Sequence, residues 1–180
     1  MDDQLIETLR DAQRLGFLGR RPVEQAAEHA HGFVEAIGEP PAGARIIDLG
    51  SGGGLPGLVL ADAYPECAIT LVDRRGKRTD FLRRAVRRLG WGHVSVMQAD
   101  VDDLVRLVRS DDLDRYDVVT ARGFGPPEVT LGFAVALVTP EGRIVISEPP
   151  EGDRWDPDLL ASVGRHRVRR GPVGVFDPVD

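Results

Sequence analysis

The chain has 180 residues, of which 42% are hydrophobic, and a formal net charge of −6. This hydrophobic content excludes wholesale disorder, and a single cysteine, Cys67, excludes a disulfide framework and a multi-cysteine zinc site. No apolar run approaches the roughly 20 residues of a membrane span, and the acidic, amphipathic N-terminus is unlike a secretory signal. We therefore expect a cytoplasmic protein, and the net acidity at first argues against a nucleic-acid partner.

The first 40 residues predict a small helical cap. Apolar residues recur at helical spacing over residues 3–15 and again over residues 23–37, where a glycine ends the pattern. The stretch that follows, residues 39–43, is rich in proline and glycine and is typical of a linker. We therefore divide the chain into a helical cap, residues 1–40, and a second domain, residues 41–180.

Beyond the linker, short apolar strands alternate with helices. Five strands are predicted, at residues 45–49, 68–73, 94–98, 116–120 and 143–147. The helices predicted between them cover residues 56–64, 77–89, 101–109 and 128–138. This alternation predicts a Rossmann-like α/β fold, with a mostly parallel sheet and helices on both faces. Residues 165–176 predict two further short strands at the end of the chain.

A glycine-rich turn joins the first strand to the first helix of this domain, and it satisfies two motifs. Asp48, Gly50, Gly52 and Gly54 spell the D-x-G-x-G-x-G motif of S-adenosylmethionine (SAM) methyltransferases. Gly52, Gly54 and Gly57 also spell the G-x-G-x-x-G motif of dinucleotide-binding folds. In both motifs, glycine lets the chain turn tightly and lets a ligand reach backbone N–H groups.

Acidic residues at the ends of three neighbouring strands favour SAM. These residues are Asp48, Asp73 and Asp100, and a dehydrogenase has no need of the first of them. Asp73 lies 19 residues after Gly54, the reach expected of a carboxylate that binds ribose hydroxyls. Asp100 either accepts a hydrogen bond from the adenine amino group or caps the next helix, and the two roles can coexist. We expect SAM, with a nicotinamide or other nucleotide, or a structural turn without a ligand, as the alternatives.

Three blocks of sequence together resemble one family. They are Asp48–Gly57, Leu71–Leu82 with its Leu-Val-Asp, Gly-Lys-Arg and Phe-Leu segments, and Tyr116–Phe124. The combination is similar to the bacterial 16S ribosomal RNA guanine-N7 methyltransferases (RsmG), also called the glucose-inhibited division protein B family. The resemblance covers about residues 22–148. It fades at both ends, where the family usually has a longer helical N-terminus and a longer C-terminal hairpin.

The resemblance implies the fold of a class I SAM-dependent methyltransferase and a set of cofactor contacts. The matching positions are Gly50 and Leu55 in the glycine-rich turn, Ala99 and Asp100 after the third strand, and Arg122 after the fourth. The general methyltransferase pattern adds Asp73 to this set. The resemblance thus implies a cofactor site built from the carboxyl ends of four strands.

Arg122 is the side chain that we expect to take part in the reaction. Its guanidinium would bind the carboxylate of the cofactor or a phosphate of RNA, the alternative being a surface arginine in an arginine-rich chain. Guanine N7 carries a lone pair and no proton at neutral pH, so its methylation needs no general base. We expect Cys67 to be a packing residue rather than a nucleophile, and we expect no metal site.

Residues 74–88 are strongly basic within an acidic chain. They hold eight basic residues against one acidic residue, a net charge of +7. We expect this segment to bind RNA phosphates through Arg74, Arg75, Lys77, Arg78, Arg84 and Arg88. A solvated helix whose arginines reflect codon bias is the alternative. A second basic cluster, at residues 165–170, is expected to extend this patch.

These patterns together predict a SAM-dependent methyltransferase that modifies guanine N7 in 16S ribosomal RNA. The partner would be ribosomal RNA or the small ribosomal subunit, and a monomer without membrane contacts is expected. The alternatives are a small-molecule SAM-dependent methyltransferase, which would need an enclosing lid, and a module that binds SAM without turnover. The net charge of −6 therefore conceals a basic face that leaves room for RNA.

Overall fold

A computed structural model describes residues 2–152 and 154–179. Its strands are β1 (Arg45–Leu49), β2 (Ala68–Asp73), β3 (Val94–Gln98), β4 (Tyr116–Ala121), β5 (Val138–Ser147), β6 (Arg165–Arg170) and β7 (Val173–Pro178). Its helices are α1 (Asp3–Arg14), α2 (Val23–Ile37), α3 (Gly57–Ala63), α4 (Gly76–Arg88), α5 (Val101–Arg109), α6 (Pro127–Leu137) and α7 (Pro157–Ser162). Residues 1 and 180, the outermost positions of the two predicted domains, lie outside the described residues.

The strands form one sheet in the order β3-β2-β1-β4-β5-β7-β6. β1 to β5 run parallel, and β7 pairs antiparallel with both β5 and β6. The strand order reverses at β1, because β2 and β3 lie on one side of it and β4 and β5 on the other. In open sheets of this kind, ligands bind at the carboxyl ends of the strands beside such a reversal.

Helices cover both faces of the sheet and create two hydrophobic clusters. On one face, helices α1 to α4 contribute buried side chains such as Phe33, Leu58 and Phe81. On the other face, α5 and α6 contribute Leu104 and Leu131. The central strands are buried between these layers and are therefore nearly continuous apolar runs, as is typical of parallel strands. Within the described ranges, no helix is both long enough and apolar enough to cross a membrane.

The two N-terminal helices are joined to the rest of the chain by packing and by polar contacts. Asp2 caps α1, because its carboxylate accepts a hydrogen bond from Gln4 N at 3.2 Å. Arg88 of α4 donates to Asp11 Oδ2 at 2.9 Å and to Thr8 Oγ1 at 2.5 Å. The buried side chains of α1 and α2 also belong to the same hydrophobic cluster as those of β1 and β2.

The structure confirms the predicted strands and helices to within about two residues, apart from one strand boundary and one helix. The strand β5 begins at Val138 rather than at residue 143, because Val138 already pairs with Tyr116. The register then shifts before Val118 pairs with Arg143. Pro140 and Gly142, which predict a turn, instead lie where the pairing is irregular.

The helix α7 was not predicted from the sequence. It is six residues long, and none of its residues is buried. Asp156 caps it by accepting hydrogen bonds from the backbone N–H groups of Asp158 and Leu159. A helix without a buried apolar stripe leaves no periodic pattern in the sequence, and this is why the prediction missed it.

Gly57, the first residue of α3, lies so close to β2 that a methyl group would not fit. A Cβ there would lie 2.4 Å from Leu71 Cδ2 and 2.7 Å from Asp48 Oδ2. We predict that Gly57→Ala lowers the free energy of unfolding by about 1–3 kcal/mol, the usual result of overpacking a core. Gly132 lies in a helix with open space where a Cβ would be, so Gly132→Ala is the control and should raise the free energy of unfolding by about 0.5–1 kcal/mol. Urea denaturation measures both, and equal effects would contradict the close packing.

Candidate functional site

The glycine-rich turn, residues 50–56, leaves β1 at the carboxyl edge of the sheet and is fixed there by a buried serine. Ser51 N donates to Val72 O at 2.8 Å, and Val72 N donates to Ser51 Oγ at 3.2 Å. Ser51 Oγ in turn donates to Asp48 O at 2.9 Å. Positive φ angles of +68°, +55° and +99°, which favour glycine, occur at Gly50, Gly52 and Gly54. These hydrogen bonds tie the turn to β2.

The motif glycines have different neighbours. A Cβ at Gly50 would lie 2.8 Å from the ring of Phe124. A Cβ at Gly54 would instead lie 2.4 Å from Leu58, inside the hydrophobic cluster. Gly50 therefore allows the Phe124 ring to pack against the turn, whereas Gly54 allows the turn to pack on the helix that follows it.

A cavity of about 550 Å³ opens at the carboxyl ends of the central strands, and we call it the carboxyl-edge cavity. This volume is typical of small-molecule sites. Its lining comprises Gly50, Val72, Asp73, Arg74, Arg75, Arg78, Ala99, Asp100, Val101, Asp102, Gly123, Phe124, Gly125, Pro126, Val129 and Phe133. Of the predicted cofactor residues, the lining includes Gly50, Asp73, Ala99 and Asp100. The others lie outside it, namely Asp48, Gly52, Gly54, Leu55 and Arg122.

Asp73, the last residue of β2, holds the glycine-rich turn and the start of α4 together. Its Oδ2 accepts from Gly52 N at 3.1 Å and from Arg78 Nη1 at 3.4 Å. Its Oδ1 accepts from Arg75 N at 2.8 Å. The residue is only 4% exposed, yet it lines the carboxyl-edge cavity. Each carboxylate oxygen can accept two hydrogen bonds, so Oδ1 retains capacity for a ligand hydroxyl.

Asp48 and Arg122 carry opposite charges and interact electrostatically, yet no hydrogen bond joins them. Thr120 Oγ1 donates to Asp48 Oδ1 at 3.0 Å, but Asp48 Oδ2 and Arg122 Nη1 are both buried without a hydrogen-bond partner among the described residues. Burial raises the pKa of Asp48 to about 6, although hydrogen bonds and the charge of Arg122 oppose this. Burial and the charge of Arg21 lower the pKa of Arg122, and Asp48 opposes that. Buried polar groups without partners are costly, and Asp48 Oδ2 lies beside Gly57 at the start of α3, where a Cβ would lie 2.7 Å from it.

Asp100 caps the helix α5, which is one of the two roles predicted for it. Its Oδ1 accepts from Asp102 N at 3.4 Å, and it is the N-cap of α5. The residue is exposed and also lines the carboxyl-edge cavity beside Ala99. The second carboxylate oxygen of Asp100 makes no hydrogen bond with any described residue. A contact between this oxygen and a ligand stays a prediction.

The basic residues 74–88 fall into two groups. Three of their arginine side chains bond to acidic side chains of this chain, namely Arg78, Arg83 and Arg88. The side chains of the other five basic residues are exposed and make no hydrogen bond or ion pair with any described residue. These five are Arg74, Arg75, Lys77, Arg84 and Arg87. The surface available to an anionic partner is therefore the second group. Arg74 and Arg75 also border the carboxyl-edge cavity, so this surface adjoins the candidate site.

The second basic cluster does not extend this surface, and that prediction is wrong. β6 is an edge strand, and β1, β4, β5 and β7 lie between it and β2. Arg165 donates to three backbone carbonyls at 2.5–3.1 Å, and Arg167 donates to the buried Glu148 at 2.8 and 3.1 Å. These two guanidinium groups stabilise the far edge of the sheet.

Sequence reasoning missed a contribution from the N-terminal helices. Burial lowers the pKa of His29 of α2, and the charges of Arg122 and of Arg21, which precedes α2, lower it further. His29 and Arg21 are both far from Arg122 in sequence, and neither belongs to a motif. The pair Arg20-Arg21 immediately before a proline is the one local signal that could have drawn attention to this segment.

Comparison with known sequences gives a consistent match. A model of the GidB family, described as rRNA small subunit methyltransferase G, matches residues 29–148. A protein named ribosomal RNA small subunit methyltransferase G from Salinispora arenicola is 36% identical over 170 residues, which cover 91% of this chain and 70% of that protein. Relatives of the same name from Sorangium cellulosum and a Nocardioides species are 36% and 41% identical, over 76% and 67% of this chain. The chain spans about half the length of these two relatives, 56% and 52%.

Solved structures share the fold. A SAM-dependent methyltransferase from Thiobacillus denitrificans in complex with S-adenosyl-L-homocysteine gives a TM-score of 0.58 at 24% identity, over 79% of this chain and 65% of that chain. A precorrin-6y C5,15-methyltransferase from Geobacter metallireducens gives a TM-score of 0.59 at 16% identity, over 89% and 88%. At these identities the likeness concerns the fold alone, and it confirms the predicted Rossmann-like class I methyltransferase architecture.

Asp48→Asn should remove a pH dependence of stability. The pKa of Asp48 is raised to about 6 in the folded chain, against about 4 when unfolded. The unfolded state therefore binds fewer protons between these pH values, and folded Asp48 loses stability as pH rises through them. We predict that the wild type loses on the order of 3 kcal/mol relative to Asp48→Asn between about pH 4 and pH 7. Urea titrations across this range measure the difference, and parallel pH profiles would contradict the raised pKa.

Proposed function

The chain belongs to the rRNA small subunit methyltransferase G family, and we propose from this that it transfers the methyl group of SAM to guanine N7 of 16S ribosomal RNA. One observation carries the proposal. Asp48 Oδ2 and Arg122 Nη1, an acid and a base, are buried without partners near the glycine-rich turn. The amino-acid end of SAM is a zwitterion. Its ammonium can pair with the carboxylate of Asp48, and its carboxylate can pair with the guanidinium of Arg122. The donor set here fits the cofactor.

The remaining predicted contacts support a placement of the whole cofactor. Asp73 has free acceptor capacity for the ribose hydroxyls, and Ala99 and Asp100 border the part of the carboxyl-edge cavity that suits the adenine. Gly50 also lines this cavity, and a residue without a side chain would let the cofactor approach its backbone. The other predicted contacts would act by shaping the turn, namely Gly52, Gly54 and Leu55.

The chemistry asked of this chain is binding and orientation. When bound, SAM supplies a methyl group attached to a sulfonium. The leaving group is S-adenosylhomocysteine, a neutral thioether, so its departure needs no acid catalyst. Arg122 and Asp48 would fix the amino-acid end of SAM, so that the methyl group points at the acceptor. Guanine N7 presents a lone pair, and accordingly the cavity lining offers arginines, aspartates and apolar groups rather than a histidine or cysteine.

The partner in this proposal is ribosomal RNA, free or in the small ribosomal subunit. The exposed cations before and on α4 support it, since two of them, Arg74 and Arg75, line the carboxyl-edge cavity. We also propose that the chain acts in the cytoplasm as a monomer. Residues 1–40 would then form a cap on a methyltransferase domain of residues 41–180.

Incubation of the purified protein with methyl-labelled SAM and either 16S ribosomal RNA or small ribosomal subunits tests this proposal. We predict label in 7-methylguanosine, located by mass mapping of nuclease fragments. Asp73→Ala should bind SAM at least roughly tenfold more weakly, because ribose hydrogen bonds and the support of the turn are lost. Asp80→Ala, an exposed acid on α4 that pairs with Arg83, is the matched control and should not change SAM binding.

Other outcomes of the same experiment would contradict the proposal in different ways. Binding of SAM without transfer to either form of RNA would indicate a module without turnover. Label in small molecules of a cell extract, with none in RNA, would indicate a small-molecule methyltransferase. Binding of NAD in place of SAM, measured by calorimetry, would overturn the cofactor assignment itself.

A further inference from the structure

Two further cavities lie along the seam between α1 and α4. One, of about 430 Å³, lies between Arg14 and Leu15 at the C-terminal end of α1 and Arg84 and Arg88 on α4. The other, of about 420 Å³, lies between the segment that follows α1 and the start of α4, and Leu15 lines it as well. The two cavities therefore adjoin at Leu15, and we call them together the α1–α4 groove.

The α1–α4 groove also adjoins the carboxyl-edge cavity. Arg75 and Arg78 line both the second cavity of the groove and the carboxyl-edge cavity. The groove and the candidate site thus form one row of cavities, which ends at the carboxyl edge of the sheet. A chain molecule that lies in the groove would therefore reach the candidate site directly.

The lining of the α1–α4 groove is strongly basic. Among the described residues that line it, Asp11 is the one acid, and it already accepts hydrogen bonds from Arg88 Nη1 at 2.9 Å and from Arg14. The basic residues of the lining are Arg14, Arg75, Lys77, Arg78, Arg84 and Arg88. This excess of positive charge favours a polyanion over a neutral or basic partner.

Apolar side chains lie between these cations. Leu15 is 54% exposed, and Phe81 and Ala85 line the same cavity. Phe17 lines the second cavity. A surface that binds phosphates alone needs no apolar lining, so this feature points to the bases. Unpaired bases offer their faces to a protein, whereas a duplex hides them in its stack, and the groove therefore suits a single strand.

The two walls of the groove are fixed relative to each other. Arg88 of α4 donates to Asp11 Oδ2 at 2.9 Å and to Thr8 Oγ1 of α1 at 2.5 Å. Phe17 packs edge-on against Phe81 of α4, with 5.7 Å between the ring centroids. The groove is therefore formed before a ligand arrives, which lowers the entropic cost of binding.

We propose that the α1–α4 groove binds an unpaired stretch of the RNA substrate beside the target guanine. Leu15 packs on a base, and Lys77 and Arg84 bind phosphates on either side of it. The strand then continues past Arg75 into the carboxyl-edge cavity, where the methyl group is transferred. This inference rests on the proposed function, and it gives α1 a part in substrate binding that a basic α4 alone would not require.

The test measures affinity for a single-stranded ribonucleotide of on the order of ten residues, between about 50 and 200 mM salt. Lys77→Ala and Arg84→Ala should each reduce the salt slope by about 0.7, one phosphate contact. Leu15→Ala should weaken binding roughly three- to tenfold with the salt slope unchanged, since it removes apolar contact and no charge. The matched controls are Arg109→Ala and Leu107→Ala, at exposed positions on α5, and they should change neither quantity.

Two further measurements distinguish a single strand from other ligands. The same oligonucleotide annealed to its complement should bind wild type and Leu15→Ala equally well, because its bases are not available. Leu15→Ala should also lower kcat/KM for 16S ribosomal RNA by the same factor as the affinity. The affinity for SAM, measured by calorimetry, should not change in any variant, since none of the substituted residues lines the carboxyl-edge cavity. Thermal melting confirms that every variant is folded.

Three outcomes would overturn the inference. If Leu15→Ala bound the single strand as Leu107→Ala does, while the wild type methylated ribosomal RNA, the groove would hold no base and the proposed function would stand. Equal losses of single-strand and duplex binding in Leu15→Ala would show that no unpaired base is read. Losses confined to assembled small subunits, with none on RNA alone, would assign the groove to an acidic protein segment. Conversely, single-strand binding that depends on Leu15 and Arg84, without methyl transfer, would support the groove and overturn the proposed function.

Discussion

The structure around the carboxyl-edge cavity depends on the hydrogen bonds that the carboxylate of Asp73 accepts. Asp73 ends β2 and accepts hydrogen bonds from the backbone of Gly52 and Arg75 and from the side chain of Arg78. The glycine-rich turn, the sheet and the start of α4 therefore meet at one buried group. Without it, the donors of two backbone segments would be left unpaired beside the cavity, which is costly. The shape of the carboxyl-edge cavity follows from this junction.

The other end of the site is built in the opposite way. Asp48 lies in β1 and Arg122 directly follows the adjacent strand β4, and each keeps one buried polar atom without a hydrogen-bond partner among the described residues. A fold under selection for stability alone would pair them, and such violations of local rules are expected where a ligand binds. The segment between α1 and α2 packs on the glycine-rich turn, since a Cβ at Gly53 would lie 2.6 Å from Leu18 Cγ, so the N-terminal region supports the turn as well as the core.

Local sequence patterns were enough to predict most of the fold. Parallel strands are continuous apolar runs, and the turn after β1 has glycine where φ is positive, so both leave clear signals. The presence of Asp73 and Asp100 at the carboxyl-edge cavity was predictable for the same reason, since these residues end or follow strands. Contacts between distant segments were not predictable. The strand order put the cluster at residues 165–170 on the far edge, and packing brought Leu18 against Gly53 of the glycine-rich turn.

A crystal structure of this chain with S-adenosylhomocysteine tests the central claim most directly. The account predicts the carboxylate of the bound molecule on the Arg122 guanidinium and its ammonium on Asp48. It also predicts the ribose hydroxyls on Asp73 and the adenine beside Ala99 and Asp100. Density in the carboxyl-edge cavity with the amino-acid end directed away from Asp48 and Arg122 would contradict it, as would a ligand bound elsewhere on the chain.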